Sequence, residues 1–576
     1  MQQTTEELQL RIRELEKEIT RLHKAVKEQR YGLHWLDVPE AFETESENKI
    51  PILEEVKDKN IVNDDGKPTH ILIEGDNYHA LTCLNYTHKG KIDVIYIDPP
   101  YNTGSTGKDS FIYKDKRVLN EYPDGTSVPK DHPLRHSYWL SFMNKRLELA
   151  KDLLSDTGVI LISIDDNEVA QLKLLCNKIF DENNFVGQWN WFKSATPPNL
   201  SHKIKKNIEY ILGYEKKKNN SVYQGLKKDS KSDDPITKPQ NSIKTLIFPP
   251  NSINLKIRDG VIRKGIYGTE KFPNTLLNDL IVENNRNINE VSFENKFIWL
   301  QEKLNAELKN NTIINCSKSL VLSYKKQNYS PEVPPNLINE NVGVSTTEEA
   351  GKELTLLFGD KVFDFPKPVS LIEYLLKFKQ SSTVLDFFAG SGTTLHATMK
   401  LNEEDGGNRQ CLLVQMNENG ICQNVTYERN RMIMQGYTNS KGEKVEGLGN
   451  SLKYYRTSFV GKNNPTHAND TDKVELSHKA GYLLALSENT LNETITGKYY
   501  QVFENEHSAT AIYFHEDLSE IEQFVASVAK NGKQTAVYIF SWSNGEEFLP
   551  MFDHLSHVAI KTIPQPILEI YRSINK

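Results

Sequence analysis

Short runs of β-branched and aliphatic residues recur along the chain, each ended by glycine, proline or an acid, with apolar positions at helical spacing between them. At the start, Leu8, Ile12, Leu15, Ile19, Leu22 and Val26 alternate steps of four and three among charged residues. This predicts an amphipathic helix or short coiled coil within residues 1–30. His70-Ile71-Leu72-Ile73 then closes in the turn Gly75-Asp76-Asn77, a helix runs through Ala80, Leu81 and Leu84, and an apolar strand at 92–97 stops at Asp98-Pro99-Pro100-Tyr101. Strand, helix and strand in so few residues make a βαβ unit with a right-handed crossover. A second unit follows, with a helix from about Tyr138 to Leu154, a break at Gly158 and a strand from Val159 to Ile164. Asp165 and Asp166 are expected to cap the next helix, through Val169, Leu172 and Leu175.

The rhythm is lost near Gly187 and resumes near Phe363. A helix from Ser370 to Phe378, a strand Thr383–Asp386, a glycine turn, a helix opening at Thr393 and a strand from Gln410 complete an α/β pattern. Beyond Ser440, two strand patterns (Ala509–Phe514 and Thr535–Ser541) flank a helix at 518–530. The expected division is therefore a helix at 1–30, one α/β domain in two parts (31–186 and 351–440), an insert at 187–350 and a small α/β domain at 441–576.

Charge sharpens the view of the insert. The chain carries a net charge of -7, yet residues 191–330 hold 24 Lys+Arg against 13 Asp+Glu, an island suited to phosphate. Five scattered cysteines without CxxC spacing read as reduced thiols, not as a zinc site or disulfide framework. No run is long and apolar enough to span a bilayer, and Met1-Gln2-Gln3-Thr4 opens a charged helix with no apolar signal core, so a cytoplasmic protein is expected.

Two stretches could carry chemistry. Asp98, Pro99, Pro100 and Tyr101 form a rigid tip at the carboxyl end of a buried strand, where α/β sheets place ligands, and neither proline offers an N–H to continue a ladder. Asp386-Phe387-Phe388-Ala389-Gly390-Ser391-Gly392-Thr393 turns a strand tightly into a helix, so that backbone N–H groups can approach a ligand behind an acid able to hold a cationic amine. Leu395 stands where a dinucleotide fingerprint has its third glycine, and there is no phosphate-loop GxxxxGK[ST].

Together these motifs resemble the amino-group DNA methyltransferases that use S-adenosyl-L-methionine. The order, tetrad first and glycine turn second with a basic insert between, is similar to the permuted β class. The likeness covers roughly residues 30–440 and, with Ser451-Leu452-Lys453-Tyr454-Tyr455 and Ile563-Pro564, extends to modification subunits of type III restriction systems. The resemblance implies a Rossmann-like methyltransferase sheet in circularly permuted motif order, an inserted target-recognition domain and a small C-terminal α/β domain. In it Asp98 accepts hydrogen bonds from the target amine with help from the Pro99 carbonyl, and Tyr101 stacks on a base flipped out of the duplex. Asp386 sits by the cofactor's amino group, Phe387 to Thr393 line it, Asp76 lies by its adenine, Asn77 is a further cofactor residue, Glu418 reaches its ribose and Lys367 stands in the pocket.

The activity implied is adenine N6 methylation of a specific DNA site. Cytosine N4 methylation and a non-catalytic DNA-binding or assembly subunit are the alternatives, with RNA or protein glutamine methylation a third. The implied partners are double-stranded DNA, a second copy of the chain and a restriction subunit with helicase and nuclease parts. No metal and no membrane are expected.

Overall fold

Five of the main-sheet strands form where the apolar runs predict them, and their order decides which tips meet. The structure, a computed structural model, describes residues 33–35, 49–103, 134–196, 203–225, 233–269, 272–326, 332–461, 470–540, 546–565 and 567–569, with three isolated positions at 15, 17 and 19. The helix expected over 1–30 lies outside the described residues apart from those three. Two compact units result, one of residues 1–222 with 335–576 and the other Tyr223–Pro334.

The first unit is built on ten strands: β1 (Lys49–Glu55), β2 (Thr69–Glu74), β3 (Ile92–Ile97), β4 (Leu154–Ile164), β5 (Phe185–Phe192), β6 (Ile208–Glu215), β7 (Leu337–Ile338), β8 (Thr383–Asp386), β9 (Gln410–Gln415) and β10 (Ser451–Gly461). Their spatial order is β1-β10-β2-β9-β8-β3-β4-β6-β5-β7. From β10 to β4 every pairing is parallel. Ile71, Leu72, Ile73, Ile95, Ile97, Val384 and Leu385 are all fully buried, as a sheet covered on both faces requires. The register sets Val384 beside Val94 and Leu385 beside Ile95, so Asp386 and Asp98 emerge at the same edge of neighbouring strands.

The helices α1 (Asn77–Thr87), α2 (Leu134–Leu153) and α3 (Val169–Phe180) pack in succession, and α5 (Val369–Leu376), α6 (Thr393–Asp405) and α7 (Glu428–Gln435) do the same, while α4 (Thr347–Phe358) precedes them in the chain. The fold is thus the expected Rossmann-like α/β class. The expected capping of α3 is replaced by a turn. Asp165 accepts the Asn167 N–H at 2.8 Å, Asp166 takes the Tyr210 hydroxyl at 2.7 Å, and the residue before the helix is Glu168. Gly158 does not break the chain either; it lies inside β4, where a Cβ would meet Ile92 O at 2.8 Å.

Three boundaries differ from the sequence expectation. Residues 187–222 and 335–350 lie in the first unit, because β5 and β6 pair antiparallel and β6 pairs with β4, burying Trp189, Trp191, Ile211 and Leu212. The basic island therefore divides: residues 191–222 hold seven Lys+Arg and two Asp+Glu in this unit. At the other end, β10 belongs to the main sheet, between β1 and β2, and not to the C-terminal piece. That piece is a five-stranded sheet with strands at Ser508–Tyr513 and Gln534–Ile539 around a helix at Ile521–Asn531, and its helix Asp470–Ser487 packs on β1 and α1.

The second unit is mainly antiparallel. Two sheets, one including Ile253–Leu255, Ile313–Cys316 and Leu322–Lys325 and one including Lys244–Phe248, Phe272–Leu276 and Val291–Asn295, share a core with Phe248 and Phe293 in edge contact at 5.9 Å. Its ends meet: the Gly225 N–H donates to Glu332 O at 2.7 Å.

Candidate active site

A cleft of about 2170 Å³ opens at the carboxyl ends of β3, β8 and β9, within the first unit. Asp98, Pro99, Pro100, Tyr101, Lys367, Asp386, Phe388, Ala389, Gly390, Ser391, Thr393 and Glu418 all line it. The strand register, not sequence proximity, collects them.

Asp98 is held by the chain's own donors. Lys367 Nζ stands 2.6 Å from Oδ2, and the Tyr101 hydroxyl donates to Oδ1 at 2.5 Å. Lys367 also donates to the Tyr101 oxygen at 3.0 Å. Trp139, fully buried on α2, fixes the tip from behind by donating from Nε1 to Pro100 O at 2.6 Å. A second carboxylate, Glu209 on β6, accepts from Lys193 at 2.9 Å and from Tyr101 at 3.2 Å and lies 3.4 Å from Lys367. Burial alone would lower the Lys367 pKa, but Asp98 and Glu209 outweigh it and hold the ammonium above the ordinary lysine value. Burial likewise opposes ionisation of Glu209, yet Lys367 and Lys193 keep its pKa below the usual glutamate range.

Across the cleft Asp386 is 2% exposed. Its Oδ1 accepts the Phe388 N–H at 3.0 Å and its Oδ2 the Thr394 hydroxyl at 2.5 Å, closing the turn on itself. Burial raises this carboxyl to about 7 despite those two hydrogen bonds. The turn needs its glycines. Gly390 and Gly392 have φ of +52° and +77°, and a Cβ on Gly392 would lie 2.4 Å from Asn430 Nδ2. Gln415 at the end of β9 accepts the Gly390 N–H at 2.7 Å, and Thr426, in a wide π turn before α7, donates to Gly390 O at 2.6 Å.

Four expected residues do not line this cleft. Phe387 is 1% exposed in the core, and Gly392 starts α6 beneath the turn. Asp76 accepts the Tyr78 N–H at 2.8 Å as the cap of α1 and lies 3.4 Å from Arg146 Nη2, while Asn77 donates to Phe387 O at 3.0 Å. The fully buried Arg146 on α2 donates from Nε to Asn77 Oδ1 and stacks on Phe142 with its guanidinium carbon 3.6 Å from the ring centre. Asn77 thus braces the turn from outside, with Asp76 and Arg146 beside it.

Sequence reasoning missed Glu209, Lys193, Gln415 and Arg429. Arg429 on α7 is 3% exposed and donates to the Ser391 hydroxyl at 3.0 Å and the Thr393 hydroxyl at 2.8 Å; burial lowers it to about 10. Charged residues inside apolar patterns were the available signal: Glu209 interrupts the run Ile208–Leu212.

No cluster of metal-ligating side chains occurs among the described residues, and no described helix is long and apolar enough to cross a membrane. All five cysteines are buried and unpaired to one another.

The profile of a DNA methylase family matches residues 92–435, a span that opens just before the Asp98 tip and ends at α7. The Mod subunit of the type III restriction-modification enzyme StyLTI, from Salmonella typhimurium, is 33% identical over 400 residues, which cover 66% of this chain and 58% of that protein. The EcoPI Mod subunit of Escherichia phage P1 is 32% identical over 426 residues, covering 67% and 64%. The type II methyltransferase M.KpnI from Klebsiella pneumoniae is 30% identical over 408 residues, covering 67% of this chain and 90% of its own length. The similarity spans less than two thirds of either Mod subunit.

Proposed function

Because the chain belongs to the DNA methylase family, we propose that it is a site-specific DNA adenine N6-methyltransferase, the modification subunit of a type III restriction-modification system. The observation that carries this is the shared cleft: an acid on a rigid proline tip faces a second acid in a glycine turn, on adjacent parallel strands.

The turn fits S-adenosyl-L-methionine. Asp386 is a buried acid facing the cleft for a cationic amine, and the cradle at Gly390 is one that added side chains would fill. When bound, the cofactor supplies a sulfonium methyl group. This chain's residues do the rest. Asp98 accepts an N–H of the base amine, drawing the nitrogen lone pair out of conjugation with the ring, and Tyr101 offers a face for stacking to a base that has left the duplex. Asp98 and the glycine turn would align the amine nitrogen with the methyl group that the cofactor supplies. Glu418 also lines the cleft, and we assign it to the ribose hydroxyls.

Duplex DNA is the substrate, read by the inserted unit Tyr223–Pro334 and attracted in part by the basic residues at 191–222. A second copy of the chain and a restriction subunit are the proposed partners, in the bacterial cytoplasm. Incubation of unmodified DNA with labelled cofactor, followed by nucleoside analysis and methylation-aware sequencing, tests this. N6-methyladenine at one recurring sequence is expected. N4-methylcytosine would overturn the adenine assignment, and no label in DNA would overturn the function.

Cofactor affinity should depend on pH through Asp386. With its carboxyl at about 7, the charge that pairs with the cofactor's ammonium is present above that pH and lost below it. Linkage of a single proton then weakens binding about tenfold between pH 8 and pH 6. Calorimetric titration across that range checks this, and a flat affinity would contradict it. Asp386→Asn should bind weakly at every pH.

A further inference from the structure

Both donors that hold Asp98 are shared with one oxygen of Glu209. Lys367 Nζ lies 2.6 Å from Asp98 Oδ2 and 3.4 Å from Glu209 Oε2, and the Tyr101 hydroxyl lies 2.5 Å from Asp98 Oδ1 and 3.2 Å from the same Glu209 Oε2. The other oxygen of Glu209 is fixed by Lys193. Glu209 is 7% exposed, so its charge persists only through these cationic and hydroxyl partners.

As long as Lys367 and Tyr101 stay on Asp98, each oxygen of that carboxylate faces a donor of the chain itself, and its charge is largely spent on an ammonium. A base amine arriving there meets a weakened acceptor. Tyr101 has one proton and two carboxylates within reach, and Lys367 needs only a small rotation of its end to favour the second. We propose that Glu209 is a positioning residue that takes over Lys367 and Tyr101 when the base amine engages Asp98, freeing the Asp98 charge for the nitrogen that receives the methyl group. This role presupposes the methyl transfer proposed above.

The exchange leaves no donor orphaned. Before the base enters, Lys367 and Tyr101 satisfy Asp98; afterwards they satisfy Glu209, and the amine satisfies Asp98. Burying a base against the tip would otherwise strand an ammonium and a hydroxyl in a closed site. Lys193 keeps Glu209 in place throughout, from the segment just after β5. Glu209 acts through Lys367 and Tyr101.

Single-turnover methylation of the chain's own target, with cofactor and DNA saturating, separates this role from a structural one. Glu209→Gln keeps the shape and an acceptor for Tyr101 but removes the charge that draws Lys367 away. Its rate constant should fall about 10- to 100-fold, in the range of losing one charge-stabilising contact, with cofactor and DNA dissociation constants within about twofold of the parent. Glu209→Asp keeps the charge and should recover most of the loss. It also serves if the glutamine variant is poorly folded, as read by cofactor binding.

A parent-like rate in Glu209→Gln, or a Glu209→Asp variant no better than it, would overturn the role. A parent chain that binds cofactor but methylates no DNA would remove the function instead. A structure with demethylated cofactor and target duplex gives a direct reading: Lys367 and Tyr101 should sit closer to Glu209 than to Asp98, and Lys367 remaining on Asp98 would refute the exchange.

Discussion

Asp98→Ala should leave a folded chain that binds S-adenosyl-L-methionine but transfers methyl groups at least about 10³-fold more slowly, a loss at the upper end for one electrostatic contact. Asp98 is the side chain of the Asp98–Tyr101 tip with a charge to offer the amine, and the Pro99 carbonyl alone is a weaker acceptor. Folding survives because Lys367 is not stranded: Glu209 lies 3.4 Å away and the Tyr101 oxygen 3.0 Å away. The penalty should therefore stay below the roughly 3–5 kcal/mol of a buried charge left uncompensated. Asp98→Asn preserves shape and should fall between the two. Single-turnover assays with labelled cofactor decide, and an alanine variant within tenfold of the parent rate would show that the amine is held elsewhere.

The second large effect is expected on the cofactor side. Gly392→Ala places a methyl group where the backbone has φ of +77°, a conformation that costs alanine about 1–3 kcal/mol. That methyl would also lie 2.4 Å from Asn430 Nδ2 and 3.1 Å from Thr426 O. Neither yields easily. Asn430 is fully buried and donates to Thr426 O at 2.8 Å and Gly392 O at 3.3 Å, and the Thr426 hydroxyl holds Gly390 O. The turn must shift as a whole, carrying Ser391 and Asp386 with it. Cofactor affinity should drop more than tenfold, since about 1.4 kcal/mol of misplacement suffices for a factor of ten, and the melting temperature should fall. Calorimetry and a thermal melt check both, and parent-like values in each would mean that the turn tolerates a side chain.

Much of this site was legible in the sequence because local rules write it. A buried parallel strand must be apolar on both faces, so β3 and β8 stand out, and prolines or glycines at their tips declare where the chain turns toward a ligand. That Asp98 and Asp386 share a cleft followed from the motif pair, and the register of β3 with β8 is its physical form. Asp76 has a second, local role that its place after a strand also offers: it caps α1 and lies beside the buried Arg146. Glu209 shows in the sequence only as a charge inside an apolar run, and neither it nor Arg429 gains meaning without partners that are distant in sequence, Lys367 in one case and Ser391 in the other. The insert began later than its composition suggested. Asn- and Lys-rich flanks hid β5 and β6, whose strand character comes from β6 pairing with β4 and β5 with β6.

The hydrogen bond between Gly225 and Glu332 bears on heredity as well as on structure. A segment whose two ends meet closes its loop at its own root, so its interior can lengthen, shorten or be replaced wholesale with little entropic penalty to the sheet that carries it. On the proposed reading of Tyr223–Pro334 as the recognition unit, replacing that segment would leave the strands bearing Asp98 and Asp386 unaltered. Under that proposal specificity would change in one step while the proposed chemistry stays fixed.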